Sequence, residues 1–149
     1  MKVGDKVENF KLEDQFGNQF DLYENLDKNV LLVFYPKDNT PVCTTQLKNY
    51  STNAGEWEKY DIKVIGINID PIESHKSFCQ NNDIDFPILS DPDKQISKQF
   101  DALNLFGQNK RKLVLIDKSK KVRFIKSTLP FIYLKSSEIM NYLKQEGLL

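Results

Sequence analysis

The sequence contains few of the residues on which metal, phosphate and disulfide sites are built. Its 149 residues include two cysteines, one histidine and six glycines. Two cysteines are too few for a disulfide framework. Cys43, His75 and Cys79 have no recognised zinc spacing, and the glycines form no phosphate-binding loop. We therefore expect neither a metal site nor a glycine-rich phosphate site.

Net charge and long apolar runs are absent as well. Twenty-one basic and 21 acidic residues cancel, and the pI is about 6.6, so no basic surface points to nucleic acid or to an anionic membrane. No apolar stretch approaches the roughly 18 residues of a membrane span, and the first residues lack the apolar core of a signal peptide. The sequence predicts a cytoplasmic protein that binds neither nucleic acid nor membranes.

The order of apolar patterns predicts an α/β fold. The length fits a single domain, residues 1–149. The patterns predict, in chain order, a hairpin around 17–18, a strand at 30–35, a helix at 41–60, a strand at 61–70, a helix at 72–81, a strand at 84–89, a helix at 92–100, a hairpin of 113–117 with 122–125, and a helix at 136–146. This is the order of a thioredoxin-like fold, with a central mixed sheet flanked by helices and an extra N-terminal β-hairpin.

The most informative segment, YPKDNTPVCTTQ, follows the first buried strand. Thr40 suits the N-cap of a helix, because its hydroxyl can accept from a free backbone N–H, and Pro41 suits the first helical position. Cys43 then falls in the first turn, where free N–H groups and the helix dipole favour negative charge. A thiol so placed is expected to ionise readily, at the sheet edge where α/β proteins bind ligands. The pattern favours a thiolate nucleophile over a buried, inert cysteine.

Ionisation of the thiol is not enough for fast chemistry. With a pKa near 8.5, about 3% of a free thiol is thiolate at pH 7, so full ionisation raises the reactive fraction at most about thirtyfold. Part of this gain is lost because nucleophilicity falls with pKa, with a slope of about 0.4–0.5. A large acceleration requires groups that stabilise charge in the transition state.

The spacing Pro-x-x-x-Thr-x-x-Cys at Pro36, Thr40 and Cys43 resembles that of the peroxiredoxins. The surrounding sequence FYPKDNTPVCTTQ is similar to the bacterioferritin comigratory protein (PrxQ-like) subgroup, and the similarity extends over nearly the whole chain. The resemblance implies that the Thr hydroxyl, the Cys backbone N–H and an arginine converge on the peroxide oxygens. In the family pattern this arginine stands six residues before an aspartate, as Arg111 stands before Asp117.

Two arginines compete for this role in a chain with 21 basic residues. Arg111 fits the family pattern, although it could also be a surface cation of the Lys110-Arg111-Lys112 cluster. Arg123 lies on the alternating strand after the turn and is predicted to face solvent. The sequence departs from the family here, because Lys112 and Leu113 replace residues that are usually small and hydroxylated.

Two departures affect the surroundings of the thiol. Gln46 stands where a glutamate is usual, which is expected to weaken the hydrogen bonds that hold the arginine. Lys48 stands where many subgroup members carry a second cysteine, so their short-range disulfide cannot form here.

Cys79 is the remaining candidate for a resolving cysteine, since some members of the subgroup carry the second thiol in this helix. It should lie about 10 Å from the sheet edge, at ~1.5 Å per residue. A disulfide needs Cα atoms about 5.5 Å apart, so bonding to Cys43 requires local unwinding around Cys43 and in residues 72–81. The alternative is a core cysteine that packs with Ile72.

His75 is the single histidine, and it raises the alternative of a Cys–His dyad. No Asn or Asp that would orient it is evident from the sequence. A structural or surface role is therefore favoured.

These observations predict a peroxidase that reduces hydrogen peroxide or alkyl hydroperoxides through a Cys43 sulfenic acid. Cys79 resolves the sulfenic acid, thioredoxin or a similar dithiol restores both thiols, and no cofactor is needed. A monomer or weak homodimer is expected. The alternatives are a one-Cys peroxidase that is resolved by an external thiol, and a redox sensor or holdase with little turnover. The absence of a Cys-x-x-Cys motif disfavours a disulfide reductase.

Overall fold

A five-stranded mixed sheet forms the centre of the protein. The structure, a computed structural model, describes residues 1–149. A separate antiparallel hairpin is formed by β1 (Lys11–Glu13) and β2 (Gln19–Asp21). The strands of the sheet are β3 (Asn29–Phe34), β4 (Ile62–Asn68), β5 (Ile88–Ser90), β6 (Arg111–Ile116) and β7 (Val122–Thr128). Their order across the sheet is β5-β4-β3-β6-β7. Strands β3, β4 and β5 are parallel, whereas β6 is antiparallel to β3 and to β7.

Five α-helices accompany the sheet. They are α1 (Pro41–Thr52), α2 (Ala54–Lys59), α3 (Ile72–Asn82), α4 (Gln95–Gln99) and α5 (Ser136–Gln145). Parallel strands need crossover connections, and α1 with α2 connects β3 to β4, while α3 connects β4 to β5. None of the helices combines the length and the apolar character needed to cross a membrane. The predicted fold class, including the N-terminal hairpin, is confirmed.

The central strands β3, β4 and β6 are mostly apolar, as expected for strands that are covered on both faces of the sheet. Successive side chains of β3 point to opposite faces and enter two different apolar cores. Leu31 and Val33 pack in the core that contains both cysteines and α5. Val30 and Leu32 pack in the other core, with the N-terminal hairpin. Both thiols therefore lie on the same side of the sheet.

Three predicted boundaries are wrong. The helix predicted at 41–60 is interrupted at Asn53, whose side-chain amide donates to the carbonyl of Asn49, so the amide competes with the helical backbone. The strand predicted at 84–89 is shorter in the structure, where β5 begins only at Ile88. Asp83 ends α3 in a left-handed conformation, so the residues directly after it do not yet form the strand. The helix predicted at 92–100 begins only after Lys94, which is also left-handed.

The turn between β6 and β7 is organised by one carboxylate. Asp117 accepts hydrogen bonds from the backbone N–H groups of Ser119 and Lys121, from the Ser119 hydroxyl and from the guanidinium of Arg123. Partial burial opposes ionisation of this carboxyl, but the bonds from Ser119 and Arg123 outweigh it and lower the pKa of Asp117 to about 2. Arg123 is thus a partly exposed partner of the turn, in agreement with its predicted surface position.

We expect Asp117→Asn to remove an acid-sensitive part of the stability. A carboxyl whose pKa is lowered by folding stabilises the protein fully at pH values above its pKa in the unfolded chain, about 3.9. This contribution to the free energy of unfolding is lost as the pH falls through the pKa in the folded protein, about 2. After screening by solvent we expect about 1 kcal/mol. Urea unfolding at pH 7 should show this loss for Asp117→Asn, and at pH 2 the variant and the wild type should converge. Asp93→Asn, at an exposed position, is the control, and an equal loss in both variants at pH 7 would contradict the assignment.

Candidate active site

The segment that carries the predicted nucleophile connects the end of β3 to the start of α1. Residues 36–40 form a loop in which Asn39 has a positive φ of 63°. Pro36 opens the loop and is half-buried, and Thr40 occupies the N-cap position before Pro41. The first intrahelical hydrogen bond is donated by the N–H of Thr44 to the carbonyl of Thr40. The N–H of Cys43 therefore precedes the hydrogen-bonded part of the helix, as the sequence predicted.

The Thr40 side chain does not form the predicted cap. Its hydroxyl donates to the carbonyl of Lys37 at 2.9 Å, and it accepts no backbone N–H of the helix. The turn at Asn39 brings the Lys37 carbonyl within reach of the hydroxyl, so the loop competes successfully for it. The predicted hydrogen bond from the helix to the Thr40 side chain is therefore absent, although Thr40 does occupy the N-cap position.

Arg111 contacts the thiol of Cys43. Arg111 is the first residue of β6, the neighbour of β3 in the sheet, and its Nη2 lies 3.3 Å from Cys43 Sγ. Both residues are buried, with 1% exposure for Cys43 and 3% for Arg111. The guanidinium also donates to the carbonyl of Pro130, from Nη2 at 2.7 Å and from Nε at 3.2 Å. These bonds fix the plane of the guanidinium beside the sulfur.

A chain of neutral groups holds the other side of the guanidinium. Arg111 Nη1 donates to Gln46 Oε1 at 2.5 Å, and the Gln46 amide donates to the Tyr50 hydroxyl at 3.1 Å. The hydroxyl in turn donates to the carbonyl of Leu134 at 2.6 Å. Burial raises the pKa of Tyr50 well above its usual value, so it remains a donor. Gln46 thus keeps a contact with the arginine and does so without adding a negative charge.

The unusual residues after Arg111 do not disturb it. Side chains alternate along a strand, and Lys112 points away from the thiol. Its Nζ donates to the carbonyls of Phe100 and Asp101, at the end of α4. Burial lowers the pKa of Lys112. Lys112 therefore closes a helix end on the opposite face of the sheet.

Cys79 lies in α3, one face of which packs on the same core as Cys43. Both cysteines are free thiols in this structure. Cys79 is 5% exposed, and burial, together with the nearby carboxylate of Asp38, raises the pKa of its thiol to about 12. The two thiols therefore share a core without being bonded, and Cys79 is held in its protonated form.

A buried polar cluster around Asp38 escaped the sequence analysis. Asp38 Oδ2 accepts from the Ser74 hydroxyl at 2.7 Å and contacts Nδ1 of His75 at 2.6 Å, while its Oδ1 accepts from the Tyr35 hydroxyl at 2.5 Å. Nε2 of His75 faces the carbonyl of Leu89 at 3.2 Å. Burial opposes ionisation of Asp38, but its hydrogen bonds, led by that to His75, hold its pKa below the usual value.

This cluster distinguishes between the two roles, structural or surface, that the sequence favoured for His75. The histidine is fully buried, which excludes the surface role, and it has an aspartate partner that the sequence did not reveal. Both of its ring nitrogens are occupied by Asp38 and Leu89, so neither faces Cys43, and the arrangement differs from a Cys–His dyad. The partner was missed because it is 37 positions away, and no local spacing signals such a contact.

The sequence was compared with families and with curated proteins. Residues 3–125 match the AhpC/TSA family. A putative peroxiredoxin bcp of Helicobacter pylori (strain J99) is 35% identical over 102 residues, which cover 68% of this chain and 67% of that protein. Peroxiredoxin Bcp of Escherichia coli (strain K12) is 38% identical over 100 residues, which cover 67% of this chain and 64% of that protein.

Solved structures extend this similarity to the whole chain. The crystal structure of peroxidoxin BcpB from Mycobacterium tuberculosis is 29% identical, with a TM-score of 0.86, and the match covers 100% of this chain and 98% of that one. A cysteine-to-serine mutant of PrxQ from Xylella fastidiosa is 25% identical, with a TM-score of 0.88, over 99% and 98% of the two chains. The chain therefore belongs to the AhpC/TSA family, as one of its Bcp/PrxQ peroxiredoxins, and is a thiol-dependent peroxidase.

Proposed function

We propose that Cys43 is the nucleophile of the peroxidase and that Arg111 and Thr40 assist it. The observation that carries the proposal is the contact of 3.3 Å between the Arg111 guanidinium and Cys43 Sγ at the start of α1. The thiolate attacks one oxygen of hydrogen peroxide or of an alkyl hydroperoxide. The O–O bond breaks, the other oxygen leaves as water or alcohol after taking a proton, and Cys43 becomes a sulfenic acid.

Charge stabilisation at the leaving oxygen supplies the acceleration that ionisation of the thiol cannot. Arg111 has only neutral oxygens and the sulfur as acceptors, so its charge is available to a developing oxyanion. The backbone N–H of Cys43 offers a second donor. The Thr40 hydroxyl donates to Lys37, which leaves its oxygen free to accept the O–H of the peroxide. Pro36 shapes the loop that places these groups.

Cys79 is the proposed resolving thiol. It condenses with the sulfenic acid, so that an S–S bond forms and water leaves. Its pKa of about 12 in the folded helix corresponds to a thiolate fraction of about 10⁻⁵ at pH 7, against about 3% for an exposed thiol. Unwinding of α3 would therefore bring the sulfur within reach and also raise its thiolate fraction about 3,000-fold. A rigid fold would favour the one-Cys alternative, in which an external thiol resolves Cys43.

A dithiol such as thioredoxin completes the proposed cycle. It reduces the disulfide by exchange, becomes oxidised itself and leaves two thiols on the enzyme. The cycle needs no metal, haem or flavin. We further propose that residues 1–149 act as one domain, as a monomer or weak homodimer in the cytoplasm, without binding nucleic acid or membranes.

Cys43→Ser should abolish peroxide consumption, because no other nucleophile adjoins Arg111. The assay is the loss of hydrogen peroxide in the presence of a dithiol reductant, and circular dichroism checks that the variant is folded. Turnover at the wild-type rate would refute the assignment of the nucleophile.

Arg111→Lys should lower the second-order rate of Cys43 oxidation by about 10²–10³-fold, the usual cost of losing one preorganised donor. Lysine keeps the charge but cannot reproduce the planar set of bonds to Gln46, Pro130 and the sulfur. Stopped-flow fluorescence of Trp57, the single tryptophan, measures the rate. Arg123→Lys changes the other arginine in the same way and should leave the rate unchanged. Equal rates in both variants would contradict the role of Arg111 and would indicate that another cation assists the reaction, with Lys37 as the first position to test.

Cys79→Ser should still undergo the first oxidation of Cys43 but should not form an intramolecular disulfide. Under excess peroxide it should proceed to sulfinic acid, because nothing removes the sulfenic acid. Intact mass and peptide mapping after one equivalent of peroxide distinguish these products. Oxidised wild type that keeps Cys79 free, or that forms a linked dimer, would exclude Cys79 as the intramolecular resolving thiol and leave the peroxidase assignment in place.

A further inference from the structure

One carboxylate joins the two helices that carry the thiols. Asp38 lies in the loop five residues before Cys43, and it contacts Ser74 and His75 in the first turn of α3. His75 is one helical turn before Cys79. The leading end of each thiol-bearing helix is thus tied to the other through Asp38. The backbone N–H of Asp38 adds a bond to Asp70, just before α3, at 2.9 Å.

Both ring nitrogens of His75 face oxygens that accept hydrogen bonds. Nε2 faces the Leu89 carbonyl at 3.2 Å, and a carbonyl oxygen can only accept. Nδ1 faces the Asp38 carboxylate, which already accepts from the hydroxyls of Tyr35 and Ser74 and whose pKa is lowered. An imidazolium satisfies this arrangement with both of its protons.

The contact is buried on every side. His75 and Tyr35 are 0% exposed, and Asp38 is 4% exposed. An ion pair in such surroundings is costly to break on one side only, because the remaining charge is left without a partner. Three further ionisable groups interact with Asp38: the Tyr35 hydroxyl, the Asp70 carboxylate through the backbone N–H of Asp38, and the Cys79 thiol. Separation of the loop from α3 is therefore strongly opposed in the resting fold.

We propose that His75 is a positioning residue whose ion pair with Asp38 latches α3 to the loop of residues 36–40. The latch holds the loop that carries Pro36 and Thr40, and it keeps α3 wound, with Cys79 buried away from Cys43. Its strength therefore sets how the sulfenic acid divides between disulfide formation and further oxidation. This last consequence rests on the resolving role proposed for Cys79.

Ser74→Ala weakens the latch without removing either charge. It deletes one donor to Asp38, and Ser77→Ala, an exposed position on the same helix, is the matched control. We expect Ser74→Ala to raise hydrogen exchange of the α3 amides in the reduced protein by about three- to tenfold, the effect of one net hydrogen bond. The higher helix propensity of alanine acts in the opposite direction. Equal exchange in the two variants would overturn the latch.

Kinetics and spectroscopy separate positioning from a purely structural role. The quantity to compare is the ratio of the rate of disulfide closure to the rate of Cys43 oxidation. We expect this ratio to be higher in Ser74→Ala and in His75→Asn than in Ser77→Ala, and the fraction of sulfinic acid to be lower. Because His75 is the single histidine, its ring N–H signals are unambiguous in ¹⁵N-resolved spectra. Two ring N–H signals are expected in reduced wild type at pH 7, and an unprotonated nitrogen would overturn the assignment.

Failure of the resolving step is recognisable separately. Exchange and ring signals are measured on the reduced protein and do not involve reaction of Cys79. If no Cys43–Cys79 disulfide forms while both of these results hold, the latch is supported and the resolving role of Cys79 is refuted. If the disulfide forms but the ratio of closure to oxidation is the same in Ser74→Ala and Ser77→Ala, the control of partition by the latch is refuted.

Discussion

The site depends on a guanidinium that is buried beside a sulfur and surrounded by neutral oxygens. Arg111 can occupy this position because β6 pairs with β3. The first residue of β6 therefore lies next to the point where β3 ends and the loop of residues 36–40 begins. The Pro130 carbonyl and the Gln46 amide then fix its plane. A buried cation with no carboxylate partner attracts any anion that forms nearby, and in the proposed reaction this anion is the thiolate of Cys43.

The same fold gives opposite environments to its two thiols. Cys43 is at the start of a helix and beside a cation, whereas Cys79 is in the middle of a helix, near the carboxylate of Asp38, with its pKa raised to about 12. Both side chains are almost fully covered, and burial is the largest cause of the raised pKa of Cys79, to which the carboxylate of Asp38 adds. The neighbouring charges differ, because β6 brings the Arg111 guanidinium to Cys43, whereas the loop before α1 brings Asp38 near Cys79. In the proposed mechanism the first thiol attacks the peroxide and the second stays protonated until α3 unwinds.

Much of this arrangement was predictable, because it follows from contiguous sequence. The apolar run of β3, the Thr-Pro helix start, the place of Cys43 in the first turn of α1 and the inward face of α5 all rest on local patterns. The placement of Arg111 came from a family spacing rather than from physical reasoning. The contacts that were missed depend on distant pairing or on loop conformation. The Thr40 hydroxyl turns to Lys37 because of the bend at Asn39, and His75 meets Asp38 only after β4 has been placed beside β3.

The neutral residue at position 46 leaves the buried guanidinium without a permanent counter-ion. A carboxylate there would compensate Arg111 in every redox state, whereas Gln46 contributes only a neutral acceptor. In the proposed reaction the thiolate is therefore the main counter-ion of the guanidinium. Conversion of the thiolate to a neutral sulfenic acid removes that counter-ion and leaves a buried cation without an anionic partner, which is unfavourable. In the proposed cycle, the step assigned to Cys79 therefore starts from a site whose buried cation has lost its counter-ion.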